Sequence, residues 1–298
     1  MLRKIVNSGI SLALLAVLTM LWGLGTAWAE SEETVKMKKG ILLVAFGTSV
    51  PEAKKGIDSL ETAAKKAFPD IEVRMAYTSN IIRRKLKKEQ NVSIPTPPEA
   101  LAAMNDEGFT HVFVQPMHVI PGEEYDVLKS VVDGYASMEG KYAFADIVLG
   151  RPFLSDGGDC EAMAEILVRR FEKTPSDTVV VLMGHGTHHM ANAMYSAMQL
   201  TLSRVSDRFF LGTVEAAPTF EDTLKAIRKT QYKKVVLAPF MVVAGDHAMN
   251  DLAGEDDPES WLNMFKKEGF SVETSLSGIG EYPEIAELFT SRLGELMK

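Results

Sequence analysis

Short apolar runs alternate along the chain with segments whose apolar residues recur every three or four positions. The runs are rich in Val, Ile and Leu, which is typical of buried β-strands. The segments between them have the spacing of amphipathic α-helices. We predict strands at 40–46, 71–77, 111–116, 144–149, 179–183, 209–214, 234–239 and 272–276, and helices at 52–67, 98–107, 123–132, 158–171, 190–204, 219–230 and 260–267.

This alternation predicts an α/β fold with parallel sheets that carry helices on both faces. The predicted strands also form two sets of four that share short motifs in the same order. We infer an internal duplication: two similar, doubly wound domains, each with a four-stranded parallel sheet, at 30–155 and 156–298, with a cleft between them. The matched segments are 45–49 with 184–188, 76–79 with 212–215, 114–124 with 237–247, and 148–150 with 276–278.

A histidine-rich turn follows the predicted strand 179–183. The segment 184–189 holds His185, His188 and His189, half of the six histidines in the chain. The carboxyl ends of parallel strands are where open α/β sheets bind ligands. A neutral imidazole there can bind a first-row metal or accept a proton near neutral pH. His185 is the stronger candidate, because His188 and His189 have the ordinary alternative of a helix's exposed first turn.

The duplication adds partners to His185. Glu215 and His247 follow two other strands of the second half, and all three residues fall at matched strand ends. Two imidazoles and a carboxylate suit Co²⁺, Fe²⁺, Ni²⁺ or Zn²⁺, and three protein ligands leave coordination positions open for a reactant. A helix cap or a salt bridge is the alternative for each residue taken singly. The first half carries Phe46, Ser79 and Glu124 at the equivalent positions.

The N-terminus has the pattern of a secretion signal. Arg3 and Lys4 precede an apolar stretch, and the segment 27–29 supplies small residues at a cleavage site. We expect cleavage after Ala29, a periplasmic location and no stable membrane insertion afterwards; an uncleaved anchor helix is the alternative. The net charge is −8, which argues against nucleic-acid binding. A single cysteine, Cys160, excludes an intrachain disulfide.

These motifs together resemble the anaerobic cobalt chelatases, which are ATP-independent class II chelatases related in fold to ferrochelatase. The resemblance runs from about residue 40 onward and is carried by the segments 184–189, 245–247 and 115–125 with Glu215. It implies flavodoxin-like domains, insertion of Co²⁺ into sirohydrochlorin without ATP, and metal binding at His185, Glu215 and His247. Fe²⁺ and Ni²⁺ stay open as alternative metals.

The expected chemistry assigns further roles. Metal insertion removes pyrrole protons, and His185 is our choice of proton acceptor. Glu124 and Tyr125 are expected to orient the tetrapyrrole, together with Phe46 and Ser79. The basic run 83–88 is either a surface for the substrate's carboxylates or a solvated helix face, and the second is the simpler interpretation.

Export separates this chain from a cytoplasmic biosynthetic pathway, so other functions stay open. The scaffold could instead serve as a periplasmic carrier of metal, haem or another tetrapyrrole, with His111 or His118 as haem ligands. A periplasmic solute-binding protein also has two α/β lobes and an export signal. The three open-sided ligands favour the enzyme. The sequence leaves a homo-oligomer open as well.

Overall fold

The computed structural model describes residues 36–298, so the predicted signal segment 1–29 lies outside the described residues. All eight predicted strands are present, with ends that differ by a few residues from the sequence pattern. They are β1 (Lys39–Ala45), β2 (Glu72–Tyr77), β3 (His111–Pro116), β4 (Asp146–Leu149), β5 (Thr178–Gly184), β6 (Phe209–Thr213), β7 (Lys234–Pro239) and β8 (Ser271–Thr274).

Nine α-helices connect and cover the strands within residues 36–298. Two of them were not among the predicted helices: α2, which is mostly charged, and α9, whose apolar residues lie close to the end of the chain. The helices are α1 (Lys55–Ala67), α2 (Asn80–Gln90), α3 (Pro97–Asp106), α4 (Glu123–Ala136), α5 (Gly157–Arg170), α6 (Ala193–Val205), α7 (Phe220–Ile227), α8 (Trp261–Lys267) and α9 (Pro283–Leu296).

The strands form two parallel four-stranded sheets with the same topology. The order is β2-β1-β3-β4 in the first sheet and β6-β5-β7-β8 in the second. The register repeats as well: Val44 pairs with Pro116 in the first sheet, and Met183 pairs with Pro239 in the second. The predicted α/β duplication is therefore confirmed.

The two halves share a core. One cluster of buried residues contains side chains of both sheets, among them Leu43 and Leu182, and α9 of the second half packs against α1 of the first. Arg292 on α9 also links the halves: it donates to the backbone oxygens of Pro152 and Phe153 in the first half, and a buried ion pair with Asp159 on α5, at 2.5 Å, holds it in place. The division at 155/156 stays a prediction.

Loops that leave the carboxyl ends of the two sheets meet each other. Gly56, at the start of α1, packs so closely on the second half that a Cβ atom there would overlap the oxygen of Val242. Thr48 lies beside Gly245 in the same region. The region where the sequence places its candidate residues is thus formed by both halves. Within residues 36–298, we find no helix with the length and apolar character that a membrane crossing requires.

Candidate metal centre at the carboxyl ends of the second sheet

The turn after β5 presents His185 to solvent and fixes its orientation. Gly186 has φ +85°, a conformation that favours glycine, and a Cβ atom there would collide with Thr213. The His185 Nδ1 lies 2.9 Å from the oxygen of Gly186. An Nδ1–H that donates to this carbonyl leaves Nε2 with a free lone pair. The turn therefore prepares one ring nitrogen to bind a cation or a proton.

Glu215 is tied to the same turn through the backbone. Its N–H donates to the oxygen of His185 over 2.9 Å, so the ends of β5 and β6 are held together. The carboxylate Oε2 lies 3.6 Å from His185 Nδ1. This separation is too long for a hydrogen bond, and it places the carboxylate directly beside the His185 ring.

His247 completes the cluster from the end of β7. Its ring lies edge-on to that of His185, with centroids 4.5 Å apart and an interplanar angle of 87°. One ligand atom of each of the three residues lies within 4.8 Å of the others. Two imidazoles and one carboxylate therefore lie together, and their binding of a metal stays a prediction.

Asp251 holds His247 from behind, and sequence reasoning missed it. Its Oδ2 lies 2.5 Å from His247 Nδ1, four residues away along a single π-helical turn, Ala248–Leu252. A carboxylate on one ring nitrogen fixes the tautomer and directs the other nitrogen to a metal. An acid four residues after a candidate ligand is a weak signal, since helices commonly carry such pairs.

Tyr195 supports the His185 turn from below and was also missed. Its ring is 3% exposed and fills the space that a Cβ atom on Gly184 would need. Burial raises the pKa of Tyr195 to about 12, and the N–H groups of Gly186 and His185 at its oxygen oppose that rise. Tyr195 is thus a neutral positioning residue.

The cluster is open to solvent. The exposed fractions of the side chains are 43% for His185, 48% for Glu215 and 38% for His247. Structural metal sites are closed by four protein ligands, whereas reactive sites keep a position open. Three exposed donors of this kind can hold a divalent first-row ion and still admit another ligand.

The first half has no such cluster at its matched positions. Among the described residues, the grouping of three metal-type ligands is the one at His185. Phe46 is 47% exposed, Ser79 is 6% exposed and caps α2 by accepting from Ile82, and Glu124 is partly buried. The predicted substrate contacts of these residues stay predictions. Tyr125 donates its hydroxyl to the oxygen of Gly150 over 3.2 Å, and burial raises its pKa.

The remaining histidines lie apart from the cluster. His188 is exposed, and His189 caps the turn at Ala191 while its Nε2 lies 3.2 Å from Asp126 of the first half. His111 Nδ1 lies 2.9 Å from the hydroxyl of Thr110. Both ring nitrogens of His118 are shielded and unpartnered among the described residues, and burial lowers its pKa to about 4.

Curated relatives match nearly the whole chain. The sirohydrochlorin cobaltochelatase of Salmonella typhimurium is 34% identical over 264 residues, which cover 88% of this chain and 97% of that protein. The protein named sirohydrochlorin cobaltochelatase CbiKC, of Nitratidesulfovibrio vulgaris, is 33% identical over 277 residues, covering 91% and 95%.

Solved structures agree with the fold. SirB from Bacillus subtilis with Fe³⁺ has a TM-score of 0.58 at 16% identity, covering 87% of this chain and 96% of that one. DR2241 from Deinococcus radiodurans, described as similar to chelatases, has a TM-score of 0.55 at 15% identity, covering 86% and 54%. The family model described as cobalt chelatase (CbiK) matches residues 39–298. The chain therefore belongs to the cobalt chelatase family.

Proposed function

We propose that the protein inserts Co²⁺ into sirohydrochlorin without ATP. The observation that carries this proposal is the convergence of His185, Glu215 and His247, with ligand atoms within 4.8 Å of one another on an open surface. The names of the two curated relatives supply the substrate and the metal. The family membership favours this function over the solute-binding alternative.

The three side chains first hold the incoming cation. Two neutral imidazoles and one carboxylate bind Co²⁺ less tightly than a set of thiolates would. Weaker binding suits the reaction, because the ion has to leave the protein for the macrocycle. The open coordination positions allow pyrrole nitrogens to replace protein ligands one at a time. Fe²⁺ and Ni²⁺ are accepted by the same donor types, so the proposal ranks Co²⁺ first and keeps them as competing metals.

The macrocycle loses two N–H protons as the metal enters: His185 Nε2 accepts the first, and solvent water at the open face of the site takes up the second. With Nδ1–H donating to the oxygen of Gly186, the lone pair that can accept the proton is on Nε2. One nitrogen cannot bind a metal and a proton at the same time. His185 therefore releases the cation before it takes the proton, while His247 and Glu215 still hold the metal.

The first half provides the facing wall for the tetrapyrrole. Phe46 offers an exposed ring at the end of β1. In the proposal, Glu124, Tyr125 and Ser79 position the macrocycle on that side. The Tyr125 hydroxyl is already bonded to Gly150, so it contributes its ring face and its rigidity.

The proposal includes export. Cleavage after Ala29 would place the mature enzyme in the periplasm, where it would act on a tetrapyrrole outside the cytoplasm. Sequencing the N-terminus of protein recovered from the periplasmic fraction tests this part. A mature chain that begins at Glu30 supports it, and an intact Met1 in the cytoplasmic fraction contradicts it.

Absorbance spectroscopy tests the activity. Purified protein lacking residues 1–29 is mixed with sirohydrochlorin and Co²⁺ in the absence of ATP, and the spectral change on metal insertion is followed. A rate well above the protein-free rate supports the proposal. A rate equal to the protein-free rate contradicts it, and stable binding of the tetrapyrrole in that case would favour the carrier function instead.

A further inference from the structure

Helix α2 interrupts the repeat between the two halves. In the second half, the N–H of Thr213 donates to the oxygen of Pro218, and the next residue is a threonine that caps α7. In the first half, the N–H of the equivalent Tyr77 donates to the oxygen of Pro95, and the next residue is again a threonine that caps α3. The connection from strand to capped helix is thus the same in both halves, and α2 is an insertion within the first-half connection.

The insertion begins at the first-half position that is equivalent to Glu215. Ser79, which occupies the position of Glu215, is the N-cap of α2 and accepts a hydrogen bond from Ile82. Where the second half places a metal ligand and turns back at once, the first half therefore starts an additional helix. This helix lies along the carboxyl edge, because the chain leaves β2 there and returns to the same strand end.

The far end of α2 is held at the same edge. Gln90 donates to the backbone oxygen of Ser49, in the loop after β1, over 3.1 Å. The neighbouring Thr48 lies beside Gly245 of the second half. A Cβ atom added to Gly245 would be 3.6 Å from the Oγ1 of Thr48. Gly245 lies two residues before His247. The N–H of Ser79, at the start of the helix, donates to the oxygen of Phe46, so both ends of α2 are held on the loop after β1, which meets the second half at Gly245.

One face of α2 carries unpaired positive charge. Ile81, Arg84, Lys85 and Lys88 follow the spacing of a single helical stripe, opposite the buried Leu86. Ile81 is 77% exposed. The three cations are exposed, and their side chains form no ion pair or hydrogen bond with the rest of residues 36–298. The stripe thus combines an apolar residue near the strand end with cations farther along the helix.

The other cations of the helix are already paired. Arg83 donates to the oxygen of Ile94 and forms a salt bridge with Glu99 at 2.7 Å. Lys87 donates to Asn91. Since the chain as a whole has a net charge of −8, carboxylates were available in the sequence to neutralise the exposed stripe as well. The exposed cations instead face outward as a group, which raises the local concentration of polyanions.

We propose that this stripe binds the peripheral carboxylates of the tetrapyrrole, with Ile81 against the ring edge. The inference rests on the proposed function and adds a substrate-binding element to it. A flat macrocycle whose rim carries carboxylates matches a helix that is apolar at one end and cationic beyond it. Exposed ion pairs are individually weak, so several acting together are required for a useful contribution. Arg84 also offers the planar, bidentate geometry that carboxylates prefer.

Neutralising the stripe tests the inference. The variant Arg84→Gln/Lys85→Gln/Lys88→Gln is compared with Lys66→Gln/Lys173→Gln/Lys267→Gln, which removes the same charge from exposed sites on other helices and loops. The dissociation constant of metal-free sirohydrochlorin is measured by absorbance titration at several salt concentrations. It is measured again with the fully methyl-esterified ring, which lacks the carboxylates.

We expect the stripe variant to bind sirohydrochlorin about tenfold more weakly than the wild type, with a smaller dependence on salt. The control variant should bind sirohydrochlorin as the wild type does, and the esterified ring should bind the stripe variant and the wild type equally. Equal weakening in both variants, or none in the stripe variant, would overturn the inference.

The outcome is separable from that of the proposed function. If the wild type inserts Co²⁺ and the stripe variant binds sirohydrochlorin normally, the inference fails and the function stands. If the wild type inserts no Co²⁺ and yet binds the tetrapyrrole through the stripe, the function fails and the inference stands.

Discussion

The two halves of the molecule share a backbone and differ in what they place on it. The N–H of Ser79 donates to the oxygen of Phe46 in the first half, as the N–H of Glu215 donates to His185 in the second. Gly47 has the same left-handed conformation as Gly186. Equivalent turns thus end equivalent strands, but a cluster of metal-type ligands forms in only the second half of the described chain.

The difference indicates how a duplicated scaffold divides its work. Turn geometry depends on the backbone and on glycine, so it survived in both copies. Most side chains at the strand ends are at least partly exposed, so they can change with little effect on the core. We interpret the second copy as the metal side and the first as the tetrapyrrole side, with α2 as its addition.

The largest expected effect comes from the proposed metal ligands of the second half. His185→Ala and His247→Ala should each lower the rate of Co²⁺ insertion by about 1,000-fold, the scale of a lost proton-transfer group. Phe46→Ala and Glu124→Gln, at the equivalent first-half positions, should lower it only a few fold. Steady-state insertion rates by absorbance decide this, and equal losses in both halves would remove the distinction between them.

The buried Arg292–Asp159 pair, which supports the bonds from Arg292 to the first half, should be the next most sensitive place. Asp159→Asn leaves Arg292 buried without its charged partner, and we expect a loss of about 4 kcal/mol in the free energy of unfolding. Burial already lowers the pKa of Arg292, with Asp159 opposing that change. Urea unfolding measures the loss. Asp177→Asn is the control, since it removes the charge from an exposed pair with Lys234, which should contribute little to stability.

A loss as small as that of the control would show that the buried pair contributes little and that the apolar core supplies the stability of this region.

His118, a buried histidine of the first half, should make the free energy of unfolding depend on pH. Its pKa is lowered from 6.5 to about 4 by burial, so the unfolded chain binds the extra proton more readily between these values. The free energy of unfolding should therefore fall as pH drops from about 6.5 to about 4, by up to about 3 kcal/mol. Register places Met241 at the equivalent position of the second half.

The variant His118→Met, which introduces the residue type found at the equivalent Met241, serves as the test. Urea unfolding at a series of pH values should show a flatter profile for the variant than for the wild type. The same slope in both proteins would assign the pH dependence to other groups.

The smallest expected effect is that of Asp251. Asp251→Asn keeps a hydrogen-bonding side chain beside His247 but removes the charge, and it should weaken Co²⁺ binding by about tenfold. Isothermal titration with Co²⁺ measures this. Asp246→Asn, on the same loop but without a contact to His247, is the control, and an equal effect in both variants would count against a specific role.

The sequence pattern predicted the sheets well because strand signals are local. Each of the eight runs is apolar and bounded by turns, and the shared motifs brought Glu215 and His247 to His185 through register alone. Helix α9 was missed, although Ile285 and Phe289 have helical spacing and are buried. The strand pattern did not require a helix after β8, so this segment had no place in the predicted repeat.

The supporting residues could not be predicted for a different reason. Asp251 reaches His247 because the chain makes a π-helical turn, and Tyr195 reaches the His185 turn because α6 packs beneath it. Both contacts depend on three-dimensional packing that no periodicity encodes. Helix α2 also could not be recognised as an insertion from the sequence, because only the repeated backbone hydrogen bonds to Pro95 and Pro218 identify it as one.

A crystal structure of the protein grown with Co²⁺, with anomalous diffraction recorded at the cobalt edge, tests the central claim most directly. Our account predicts one strong peak about 2.0–2.2 Å from a nitrogen of His185, a nitrogen of His247 and an oxygen of Glu215. A peak on His118, on His188 or on first-half carboxylates, with none at His185, would contradict it.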